Sequence, residues 1–345
     1  MKEREFHPGS VRSILVLRLY FIGDVLLSTP VLAALRDTFT DARITVVLKR
    51  RAAEVLERNP DVDEVLLYDA VPGYHSPVWT ARFGLGLRRR RFDLAVDLTG
   101  DFRSSWMLVA ADPAYRVGFN HAGLGFLLDR SIPYRADGHV VDHLLKAAAL
   151  VGAETDRTEP RIHLAEGELR TASDLAGGGG PYVAMAPGAN NPLRRWPAER
   201  YGGLARRALE SHGLRTIFVG SPTDRSLCSR AVSASDGTGV SLAGRTSLRT
   251  LAGLLGPARA FVGSDSGPLH IAAAVGTPVV GLYGPNTPDR FSPRGAPAEV
   301  VARRPPCSPC GQRRCTRDAG PCVEAISVDE VEAALDRLLA RTKEH

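Results

Sequence analysis

No stretch of this 345-residue chain approaches the roughly 20 consecutive apolar residues that a membrane-spanning helix requires, so a helical membrane span is not expected. The opening segment MKEREFHPGS is polar and mixed in charge, without the apolar core of a secretory leader, and the expected location is the cytoplasm. Aromatic residues make up only 6%, and the basic residues are not interleaved with them, so nucleic acid is not an expected partner. Five cysteines in a chain of this length do not describe a disulfide scaffold. What is present is a 44% hydrophobic, 24% charged composition, that of a globular chain long enough for two cores. A net charge of +6 points to an anionic partner. The run Arg88 to Arg91 is compatible with a solvated helix end or with a surface facing anionic lipid or a phosphorylated acceptor.

Strand-like and helix-like patterns alternate along the first half. Ser13 to Leu19 is a continuous apolar run of the kind buried on both faces of a parallel sheet. Helical spacing follows from Asp24 to Arg36, with Asp24 where the helix dipole favours a carboxylate. Further strands are expected at Arg43 to Leu48, Glu64 to Tyr68 and Leu94 to Leu98, with helices around Arg51 to Arg58 and Trp79 to Arg90. A helix from Val141 to Gly152 closes this half, and the polar segment Ala153 to Pro160 reads as a linker. After the glycine run Gly177 to Gly180 the rhythm restarts: strands at Tyr182 to Ala186, Arg215 to Val219 and Ala260 to Val262, helices at Ala198 to Glu210 and Asp224 to Ser233. The expectation is an α/β chain with two Rossmann-like domains of parallel sheet, 1–155 and 156–326, facing across a ligand cleft. The tail, with Val328, Val331, Ala334, Leu335, Leu338 and Leu339 at helical spacing, is expected to cross back to the first domain.

Three segments carry chemistry. Val262-Gly-Ser-Asp-Ser-Gly-Pro-Leu-His270 ends a strand and opens a helix, which places Asp265, Ser266 and Gly267 at the carboxyl edge of a sheet, where free backbone amides suit a diphosphate. The bland reading is that Asp265 caps the helix and His270 belongs to the core. Ala186-Pro-Gly-Ala-Asn-Asn-Pro-Leu-Arg-Arg-Trp-Pro197 also links a strand to a helix; Arg194 and Arg195 offer charge to a departing phosphate, and Trp196 either walls the site or packs. Gly23-Asp24 follows the first strand; Asp24 is either a helix cap or the base that takes a proton from an attacking hydroxyl.

The block Ile14-Leu-Val-Leu-Arg-Leu-Tyr-Phe-Ile-Gly-Asp-Val-Leu-Leu-Ser-Thr-Pro30 resembles the amino-terminal signature of the heptosyltransferase family, family 9 of the glycosyltransferases. Pro187-Gly-Ala through Arg194-Arg-Trp-Pro197 resembles its donor-site loop, and Asp265 to His270 with Gly276 to Gly284 resembles its carboxy-terminal signature, in the family's order. The resemblance implies a two-domain GT-B fold and metal-independent, inverting transfer of a sugar, the best match being heptose from ADP-heptose. The acceptor would be a lipopolysaccharide core or a lipid-linked hydroxyl. It makes Asp24 the general base, and Gly188, Arg194, Arg195, Asp224, Asp265, Ser266, Gly267 and His270 the donor site. Arg18, Gly23 and Arg103 are assigned near the acceptor. Arg194 stands where the family usually has lysine, and Tyr20 and Phe21 stand where some members have serines, so another nucleotide sugar or acceptor is the alternative. A non-catalytic nucleotide-binding protein or a sugar-nucleotide epimerase on the same scaffold are the readings from other classes.

Cys307-x2-Cys310-x4-Cys315-x6-Cys322 allows a structural zinc ion, disulfides or uncommitted thiols. Trp79 and Phe83 with Arg88 to Arg91 are expected to let the first domain rest on the anionic inner face of a membrane as a peripheral contact.

Overall fold

Apolar runs of four to six residues, each cut off by a polar or glycine-containing turn, become strands that are paired on both sides. The computed structural model describes residues 5–69, 74, 76–121, 123–133, 137–177, 180–310 and 314–342. The chain divides into two units, Met1–His163 and Leu164–His345. In the first, strands β1 (Ser13–Leu17), β2 (Arg43–Leu48), β3 (Glu64–Leu67), β4 (Leu94–Asp97), β5 (Tyr115–Asn120) and β6 (Arg130–Pro133) form one parallel sheet in the order β3-β2-β1-β4-β5-β6. In the second, β7 (Tyr182–Ala186), β8 (Arg215–Phe218), β9 (Gly239–Ser241), β10 (Ala260–Ser264), β11 (Val279–Tyr283) and β12 (Ala298–Ala302) are ordered β9-β8-β7-β10-β11-β12. Counted from its own first strand, the second sheet repeats the order of the first. Both reverse direction beside that first strand, and the crevice outside the carboxyl ends of the strands at such a reversal is where open α/β sheets bind ligands.

Apart from half-buried Ser13, the central strands are buried, as their largely apolar runs require. The expected helix from Asp24 to Arg36 is instead two, Ile22–Leu26 and Thr29–Thr38. Pro30 can stand only in the first turn of a helix, and the Ser28 and Thr29 hydroxyls donate to the carbonyls of Val25 and Leu26, ending the first helix there.

The polar segment read as a linker is strapped to the first unit. Thr155 Oγ1 lies 2.5 Å from Asp37 Oδ2, and Arg157 bonds Asp37 at 2.5 Å and Asp61 at 3.1 Å. The division therefore falls at His163/Leu164 rather than at 155. The terminal helix Val328–Arg341, expected to return to the first half, buries Val331, Ala334, Leu335, Leu338 and Leu339 in the core of the second unit beside Trp196 and Tyr201. Of the glycine run, Gly178 and Gly179 lie outside the described residues.

Candidate active site

In the second unit four connections converge at the carboxyl edge of the sheet: those after β7, β8, β10 and β11. Asp265, immediately after β10, is buried. Arg194 from the β7 connection donates Nη1 to its carbonyl oxygen at 3.3 Å and approaches Oδ2 at 3.2 Å. His270 Nε2 stands 3.4 Å from Oδ1, and Asn286 Nδ2 donates to Oδ2 at 2.5 Å. Burial pushes the Asp265 carboxyl up, but His270, Arg194 and Asn286 together outweigh it and hold the group below the usual carboxylate range. Asp265 is therefore a charged anchor that joins two connections, more than a helix cap.

Around it, Ser266 Oγ, His270 Nδ1 and Arg194 Nε are buried with no hydrogen-bond partner among the described residues. Unsatisfied polar atoms of this kind are rare in cores and expected where a ligand binds. Gly267 opens the helix Gly267–Ala274 with Pro268 in its first turn, leaving main-chain amides and the positive end of the dipole at the same edge. On the β8 side, the Asp224 carboxylate accepts from Ser221 N at 2.9 Å and Ser221 Oγ at 2.6 Å. It also lies so close to Gly188 that a Cβ there would stand 2.3 Å from Oδ1. Gly188 and Asp224 thus fit each other, and no other residue type fits at 188 without moving the carboxylate.

The β7 connection carries two further residues singled out by the sequence. Arg195 Nε donates to the Ala189 carbonyl at 2.8 Å, bracing its own loop. Trp196 is fully buried, with Nε1 donating to Ile326 O at 2.9 Å and its ring edge-on to Tyr201, so it packs and does not wall a ligand.

In the first unit the connections after β1 and β4 meet at the corresponding edge. Arg18 is buried; Nε donates to the Asp24 carbonyl at 3.1 Å, Nη1 to the Leu98 carbonyl, and Nη2 lies 3.6 Å from Asp24 Oδ1. Phe21 N donates to Asp24 Oδ2 at 3.1 Å. Asp24 is thus oriented by one cation and one amide while keeping 29% of its side chain accessible, which a base must have. Gly23 precedes it in the helix and accepts from Leu27 N at 2.9 Å. Asp101 caps the helix Phe102–Ala111 through Ser104 N and holds Arg103 Nη2 at 2.6 Å.

Sequence reasoning missed three contributors here. Thr99 joins the two connections, accepting from Leu19 N at 2.9 Å and bonding Tyr20 OH through its carbonyl at 3.2 Å. Asp97, buried beneath, accepts from Thr99 N, Gly100 N and Ser104 Oγ, and burial raises its carboxyl to about 6. Lys49, following β2, is held below the usual lysine range first by burial and then by Arg103 and Arg51. A charged residue ending a strand run was the available signal for Lys49 and Asp97; which loop each one meets is a matter of strand order.

All five cysteines are free, with Cys228 buried in the core. Cys307, Cys310, Cys315 and Cys322 line one small cavity of about 20 Å³ with Leu193 and Pro285. Among the described residues, however, no group of three or more His, Cys, Asp or Glu side chains is arranged to hold a metal, so the zinc that spacing allowed finds no ready ligand set.

Comparison with known proteins bears on the family and the fold. Residues 80–319 match the family model of glycosyltransferase family 9 (heptosyltransferase). The chain is 28% identical over 306 residues to lipopolysaccharide heptosyltransferase 2 of Salmonella typhimurium, covering 84% of this chain and 87% of that one. It superposes on the crystal structure of a family 9 glycosyltransferase from Veillonella parvula with a TM-score of 0.84 at 23% identity, covering 96% and 98% of the two chains. On the ADP-heptose heptosyltransferase II of E. coli the TM-score is 0.77 at 25% identity, with 95% and 99% covered. Two six-stranded parallel sheets with these relatives make the fold GT-B, and the chain belongs to glycosyltransferase family 9, the heptosyltransferases.

Proposed function

We propose that this enzyme transfers heptose from ADP-heptose to a hydroxyl of a lipopolysaccharide-core or other lipid-linked acceptor, with inversion at the anomeric carbon and no metal in the chemical step. The observation that carries the reading is the pair of edge sites: an accessible, oriented carboxylate at Asp24 and an anion-ready cluster of Arg194, Ser266, His270 and helix amides around Asp265. The first unit holds the acceptor and the second the nucleotide sugar. As the acceptor oxygen bonds to the anomeric carbon, Asp24 takes its proton, and the bond from that carbon to the diphosphate oxygen breaks with its electron pair leaving on ADP. Arg194 and the amides at Gly267 meet the charge that grows on the leaving diphosphate. Asp224 accepts from the nucleotide ribose.

Support for heptose comes from the relatives' substrate, named in the E. coli protein. A calorimetric comparison of ADP-heptose with GDP-, UDP- and dTDP-sugars tests it; tightest binding of a non-adenine sugar would shift the reading to another donor. Asp24→Asn should lower kcat by about a thousandfold or more while leaving ADP affinity within twofold, because general-base loss acts on the transition state. Turnover within a few-fold of wild type would overturn the base assignment.

A further inference from the structure

The helix Pro77–Arg88 on the first unit carries a surface that transfer does not use. Trp79 and Phe83, expected to protrude, are half-buried: Trp79 Nε1 donates to the Tyr68 carbonyl at 3.0 Å, and Phe83 packs edge-on against Tyr68. The residues that do protrude are Val78, 77% exposed, and Leu85, 54% exposed. Together with exposed Arg82 and Arg89 they recur every three or four positions, which sets all four on one stripe of the helix. Beside the stripe runs an open groove of about 420 Å³ with Leu66, Trp79, Phe83 and Leu87 along its floor and Arg82 and Arg90 at its rim. Arg90 pairs with Glu64 and Arg88 with Asp112, which neutralises the nearby acids. Arg82, Arg89 and Arg91 have no side-chain partner among the described residues.

We propose that this face is the surface by which the first unit rests on an anionic phospholipid bilayer, with the three unpaired guanidinium groups on lipid phosphates and Val78 and Leu85 in the headgroup layer. Arginines flanking protruding aliphatic side chains are the arrangement that gives interfacial binding. Charge argues against a second copy of this chain as occupant: a two-fold contact would set Arg82, Arg89 and Arg91 against themselves. The inference rests on the lipid-linked-acceptor reading for its biological sense, and its test needs no turnover.

The full chain is floated with phosphatidylcholine vesicles, with and without phosphatidylglycerol, at low salt and at about 0.5 M NaCl. Wild type is expected on the phosphatidylglycerol vesicles alone and only at low salt. The R82Q/R89Q/R91Q variant should lose on the order of a hundredfold in partitioning with an unchanged melting curve, since these side chains hold nothing within the fold. V78S/L85S should reduce binding to the same vesicles by about tenfold. Equal binding of wild type to both vesicle types, or wild-type partitioning by the arginine variant, overturns the proposal. So does a dimer in light scattering that the arginine variant dissolves. Transfer to a water-soluble acceptor should be unchanged in both variants. Vesicle binding without any transfer by wild type would overturn the catalytic reading and leave the surface standing.

Discussion

The two aspartates at the sheet edges show how placement divides one side-chain chemistry into two tasks. Asp265 is enclosed by His270, Arg194 and Asn286, and is suited to tying loops together. Asp24 has one cation, one amide and open access, and is suited to receiving a proton. A third carboxyl, Asp97, is buried under the connections after β1 and β4 with its titration moved from 3.8 to about 6. Its protonated form is the one the fold favours, so its contribution to stability is complete below about pH 4 and is lost as pH rises through 6. Asp97→Asn preserves the shape, and Ser104 Oγ already has the Asp101 carbonyl at 3.0 Å as an alternative acceptor. In urea unfolding the variant should gain on wild type by about 2 kcal/mol between pH 4 and 7; a gap independent of pH would refute the shift. Gly188→Ala should cost about 1–2 kcal/mol by driving Asp224 off its Ser221 partners. Most of that cost should vanish in an Asp224→Ala background, a non-additivity that a double-mutant cycle measures directly.

Between elements, the decisive contacts are close approaches that periodicity does not reveal. Helix Pro77–Arg88 meets helix Phe102–Ala111 at Gly84, where a Cβ would stand 2.6 Å from Ala110 Cβ and 2.8 Å from the Met107 carbonyl. Gly84→Val should force these helices apart and lower stability by about 1–3 kcal/mol, seen as an earlier melting transition. An unshifted transition would mean that the helices give way freely. The same scale explains which elements were readable. Strands β1, β4, β7 and β10 are buried, largely apolar and visible as runs, whereas β9 is three residues at a sheet edge and β6 is mostly exposed. Edge strands of that length carry little pattern, because only neighbouring backbone makes them strands. The break between the first two helices was missed although Ser28-Thr29-Pro30 carries its signal, side chains that compete locally for backbone partners.

Across the molecule, the repeat of one strand order in two units separates the proposed ligands by domain. Hydrogen exchange should report this: ADP should slow amides in 187–196 and 264–270 and leave 18–24 unchanged. Protection confined to 18–24 would reverse the assignment of donor and acceptor. The amino-acid sequence alone determined the α/β class and the two halves, and it named the residues proposed as base and diphosphate site, because burial on both faces and strand-to-helix turns leave local marks. Only tertiary structure decided that Arg194 reaches Asp265, that Gly188 makes room for Asp224, that Arg195 braces its own loop, that Trp196 turns inward, and that the last helix completes the second core. These depend on which strands lie side by side, and strand order is set by packing many non-adjacent segments at once, which no short stretch of chain encodes.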